Sequence, residues 1–194
     1  MEAINILWIF VVVAAAVGTV AAWIVYRKSS TKRLQSRFGP EYRTTVEKLG
    51  SRSKGEAELT AREQRVQRLA LTTLTPADAA GFSESWAALQ GRFVDDPKGV
   101  VAGADELVRR LILRRGYPNG DFEHLAADIS VDHADIVQHY RAAQAIAVHG
   151  ESGAASTEDL RSAVIHYRVI FAELLETAAV TAAATPVQPV ALHP

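Results

Sequence analysis

The chain has no cysteine in its 194 residues. That absence excludes disulfides, thiolate nucleophiles, iron–sulfur clusters and cysteine-type zinc sites. Also missing are a Walker A loop, a GxGxxG run, a GxSxG elbow and an HExxH pair. The common nucleotide-binding, serine-hydrolase and zinc-protease signatures therefore have no footing. No alternating period-two run of useful length occurs, so nothing argues for a sheet. Aromatics make up only 7% of residues and the formal net charge is -1, so bulk basicity gives no reason to expect nucleic acid. The most informative absence is of charge itself, because none occurs between Ala3 and Tyr26.

The near-neutral total conceals three unlike parts. Residues 27–70 carry twelve Lys and Arg against five Glu. Residues 71–194 carry nine against sixteen Asp and Glu. A greasy end, a basic stalk and an acidic body follow one another.

Ile4–Tyr26 is apolar except for Asn5, Gly18 and Thr19. As a helix this run reaches roughly 34 Å, enough for a hydrocarbon core of about 30 Å. Lipid cannot satisfy backbone polar groups, so a helix is the expected form. Trp8 at one end and Trp23 with Tyr26 at the other suit the two interfaces. Arg27, Lys28, Lys32, Arg33 and Arg37 follow at once, with no acid until Glu41. The positive-inside rule then places the carboxyl-terminal body in the cytoplasm, with those five cations as contacts for anionic lipid. The competing reading is an exported, surface-exposed domain behind a cleaved signal at Val20-Ala21-Ala22. It lacks the basic region that should precede such a signal. Ala14, Gly18 and Ala22 recur every four residues, a strip that would let two spans pair as a homodimer.

Beyond the cations, Gly39-Pro40 breaks or resets the helix, and Gly50–Gly55 reads as a hinge between Glu41–Leu49 and Glu56–Leu71. With little to bury at Val66, Leu69 and Leu71, this stretch reads either as an extended stalk or as a helix that finds a partner. Interleaved glutamates and the lack of an aromatic stacking platform argue against nucleic acid as the partner.

The body shows repeated helix signals. Thr75-Pro76-Ala77-Asp78 and Asp96-Pro97 are helix starts, and Ser156–Asp159 has the shape of a capping box. Ser130–Asp132 reads as another cap. Phe82, Trp86, Leu89 and Phe93 form one apolar stripe; Val100 through Ile112, Ile136 through Ala147 and Leu160 through Leu175 form others. The expected fold is all-α: an N-terminal transmembrane helix (1–26), a basic helical stalk (27–74), a small antiparallel bundle (75–177) and a disordered tail (178–194).

Two features offer chemistry. Asp128, Asp132, His133 and His139 could hold a divalent metal and make the body a metal-dependent enzyme. The plainer reading is a capped helix start, where acids at 132 and 135 are favoured. The tripeptide His-Tyr-Arg occurs at 139–141 and again at 166–168. It is either a paired polar site or a coincidence, with each Tyr in the core. Glu123 and Glu173 stand as single acids without an evident partner.

Arg37–Tyr42, Arg92–Pro97, Arg115–Pro118, Asp121–Glu123, Ala126–His133, His139–Ala143, Ser156–Arg161 and His166–Arg168 come in the order of an uncharacterised family. The chain resembles these bacterial single-span proteins over about residues 35–176. It departs from their pattern at Arg43 and Ala134. The resemblance implies a span with a cytoplasmic helical domain and no stated activity. Taken together, the sequence predicts a membrane-anchored scaffold that binds the bilayer and an unknown protein partner, without cofactor or catalysis.

Overall fold

A computed structural model describes residues 17–19, 25 and 27–184, with side chains at all of these except 151 and 177–184. Among the described residues the secondary structure is helix alone, as expected for an all-α chain. In chain order the helices are α1 (27–38), α2 (Pro40–Leu49), α3 (Arg52–Val66), α4 (Pro76–Gly91), α5 (Pro97–Arg114), α6 (Phe122–Ile129), α7 (Ala134–Glu151) and α8 (Thr157–Ala184). None of them is long and apolar enough to cross a membrane. The expected span at Ile4–Tyr26 lies outside the described residues, apart from Val17, Gly18, Thr19 and Val25, which are helical.

The chain forms two compact units, Met1–Thr60 and Ala61–Pro194. In the first, Gly39 adopts φ 48° between α1 and α2, and Pro40 opens α2 at a position where a missing N–H costs nothing. Gly50 closes α2 in the left-handed region at φ 65°. Leu34, Phe38, Tyr42 and Leu59 are buried, so this part is a packed helical hairpin and not an extended rod. A Cβ on Gly55 would sit 2.7 Å from Val46 Cγ2, which explains a glycine early in α3.

In the second unit three of the four sequence-read helix starts act as written. Thr75 and Asp78 form a reciprocal capping box before α4, Asp96 caps α5 through Gly99 N–H, and Ser156 and Asp159 exchange the same bonds before α8. Asp121 caps α6 through His124 N–H. The expected cap at Ser130–Asp132 does not form. His133 occupies that place without a side-chain bond, and the Ser130 hydroxyl turns back to the Ala127 carbonyl at 2.6 Å. The geometry favours the local back-bond because Ser130 is fully buried.

α8 packs along α7 and α5, and α4 packs on α5. The core they share includes Trp86, Val108, Leu111, Ile112, Tyr140, Tyr167 and Leu174. Trp86 stacks on Phe171, with ring centres 4.9 Å apart. The chain from Ala61 belongs to this unit rather than to the hairpin: Val66 and Leu74 are buried, Leu69 packs on the core, and Leu71 stays exposed. Thr72 bonds the Arg114 and Arg115 carbonyls with its hydroxyl and its N–H, satisfying acceptors that the end of α5 leaves open. The helix also runs beyond Glu176, so the expected tail boundary at 178 falls inside α8. Residues 185–194 lie outside the described range.

Candidate functional site

The five cations that follow the uncharged run all lie on α1 with exposed side chains. Thr31, Leu34 and Phe38 form the buried stripe of that helix, at helical spacing. Lys28, Lys32, Arg33 and Arg37 lie off that stripe, on the faces that the hairpin leaves open, and Arg27 is exposed one turn before Thr31. Holding α1 in place is Glu56. Its Oε1 accepts from the Thr31 hydroxyl (2.8 Å), the Tyr42 hydroxyl (2.8 Å) and Arg52 Nε (2.9 Å). Burial pushes the Glu56 carboxyl up, but these three donors outweigh it and hold the group below its usual range. The Tyr42 phenol moves up, through burial and then through Glu56. The sequence reading passed over Glu56. The available signal was Leu34, Phe38 and Tyr42 at intervals of four, an apolar stripe running across the Gly-Pro break.

The four residues considered as metal ligands do not converge. Asp128 is buried and pairs with Arg65 at 2.6 Å. Asp132 is exposed one turn further on. His133 is buried, with Nδ1 3.3 Å from Glu173 Oε1 on α8. His139 points to a different neighbour, Nδ1 of His166, at 2.8 Å. Among the described residues no group of three or more His, Asp or Glu could hold a metal. Glu173 and Glu123, which looked solitary in sequence, face His133 and Arg141 (4.0 Å) across helices.

The repeated tripeptide combines both readings of it. Tyr140 and Tyr167 are fully buried and the two Arg lie further out, which is the core arrangement. The two His nevertheless meet, which is the paired arrangement. Below them, the Tyr167 hydroxyl donates to Asp105 Oδ1 at 2.9 Å, and Asp105 Oδ2 accepts from Arg109 Nε at 3.3 Å. Burial and the Asp105 charge push the Tyr167 phenol far up and the Tyr140 phenol up to about 12. The Tyr140 hydroxyl is buried without a hydrogen-bond partner. Beside this layer, α5, α7 and α8 leave a cleft of about 420 Å³ lined by Lys98, Val101, Asp105, Gln144, Ala147 and Leu160.

Chemically the arrangement offers cation–anion attraction on α1 and a buried polar layer in the bundle. No protein-family model matches the chain, and neither does any curated protein or solved structure.

Proposed function

We propose that this chain is a single-span bacterial inner-membrane protein whose helical body lies in the cytoplasm and docks another protein without catalysis. The observation that carries the reading is the charge partition: a run without charge from Ala3 to Tyr26, then five cations before the first acid. Moving those arginines and lysines across a bilayer is unfavourable, so the body stays on the side where they are made. Near an anionic leaflet each contributes about 1 kcal/mol of attraction, weakened by salt. Their exposure on α1 is consistent with that role. So is the exposure of Val17 and Val25, helical apolar residues at 64% and 67%, which lipid would cover.

Docking, rather than turnover, agrees with where the polar residues go. Asp128, His133 and His139 are each engaged by a separate neighbour. The body is acidic, and on α8 it exposes Ile165 and Val169 one turn apart. An apolar spot within a charged surface suits a protein partner.

Protease treatment tests the topology. The body should resist protease in intact cells and be cleaved in inverted membrane vesicles. Cleavage from outside intact cells would overturn the orientation. Cross-linking in membranes before solubilisation tests docking, and recovery of the chain alone would count against it.

A further inference from the structure

The two copies of His-Tyr-Arg lie on α7 and α8, and they meet at their first residues. His139 Nδ1 and His166 Nδ1 are 2.8 Å apart, with ring centres 5.1 Å apart and planes at 47°. The separation of the centres is little more than the nitrogen distance plus the two ring radii. The nitrogens therefore point at each other along the line joining the rings. Such a line has room for one proton, given by one ring and accepted by the other. It has no room for two.

Both imidazoles are half-buried, at the edge of the contact between α7 and α8. The next residue of each copy, Tyr140 or Tyr167, is fully buried in the layer held by Asp105 of α5. We propose that the His139–His166 pair is a proton-operated latch between α7 and α8, closed by one shared proton and opened when each ring carries its own. The first added proton leaves an imidazolium donating to an imidazole, and the bond survives. The second sets N–H against N–H and positive ring against positive ring. Electrostatics then works against the helix contact that covers the tyrosine layer.

The surrounding charges leave the pair to itself. On α7, Asp135 lies one turn before His139, and Arg141 turns toward Glu123. On α8, Glu173 faces His133 and Arg168 is exposed. On α5, Asp105 accepts from both Arg109 and Tyr167. Burial and then His139 lower the proton affinity of His166. A pair coupled in this way releases its protons in two macroscopic steps. The inference is independent of the membrane reading, since it concerns only the contact between two helices of the body.

The test is an imidazole nitrogen NMR titration of the full chain in detergent, from alkaline to acid pH, with amide exchange followed on α7 and α8. The pair should titrate in two steps separated by more than about one pH unit. Exchange along the facing residues of both helices should quicken severalfold with the second step. In His166→Gln, His139 should titrate in a single step and the severalfold quickening should vanish. His139→Gln provides the reciprocal check should the first variant fold poorly. Two imidazoles that titrate independently near their ordinary value would overturn the latch. So would acid loosening that persists in the Gln variants.

Discussion

The Tyr42 hydroxyl donates to Glu56 Oε1 at 2.8 Å, tying α2 to α3. Thr31 of α1 and Arg52 share the same oxygen, so one carboxylate gathers side chains from all three helices of the hairpin. The helix that carries the five cations is thereby fastened to α2 and to the start of α3. What the sequence offered as an extended stalk or a helix awaiting a partner is a small packed helical unit.

Glu56→Ala removes an acceptor from three donors at once. Thr31 keeps the Arg27 carbonyl and Arg52 reaches solvent, so the cost falls on the buried Tyr42 hydroxyl, about 1–3 kcal/mol. Amide exchange on α2 and α3 should quicken in the variant, while α7 and α8 keep their protection. Acid should act in the same direction on the parent. The folded pKa of Glu56 is depressed, so its stabilisation is complete above the unfolded value, about 4.3. It is lost as pH falls through the lower folded value. Glu56→Gln should abolish that part of the acid sensitivity.

Gly116 is the least replaceable glycine of the second unit. It lies at φ 94°, where a side chain is strained, and a Cβ there would sit 2.6 Å from the Ala70 carbonyl oxygen. Strain and collision together make Gly116→Ala destabilising by about 2–4 kcal/mol. Urea denaturation followed by circular dichroism measures it. An unchanged midpoint would mean that residues 70–72 do not rest on the end of α5.

Alkali should unfold the body in one event. Burial raises the phenols of Tyr117 and Tyr140 to about 12, and Tyr167 rises further. A raised folded pKa stabilises fully below the unfolded value, about 10, and the effect is lost as pH rises through the folded one. Phenolate absorbance should therefore show Tyr117, Tyr140 and Tyr167 ionising together with loss of helix, between about pH 10 and 12. Ionisation of all five tyrosines below that range, with the helix intact, would contradict their burial.

How legible was all this in the sequence? The caps were readable because a capping box is local: Thr75 and Asp78 are three residues apart, as are Ser156 and Asp159. The apolar stripes were readable because helical periodicity is local as well. Partnerships made by packing were not. Glu173 is forty residues from His133, and His166 is twenty-seven from His139, so only the folded body brings them together. The Asp-rich stretch at 128–135 left a metal site open beside the plainer capped helix start for the same reason. Asp128 on α6, His133 just before α7 and His139 on α7 are near in sequence, yet they face different ways, toward Arg65, Glu173 and His166. The stalk hid its core because Leu34, Phe38, Tyr42 and Leu59 are few and spread over three helices.

The account as a whole depends on lipid surrounding Ile4–Tyr26. Fractionation of cells producing the full, untagged chain tests this most directly. The chain should sediment with membranes, resist extraction by high salt and alkaline carbonate, and enter solution only with detergent. An unprocessed chain that stays in the supernatant after cell breakage without detergent would contradict it.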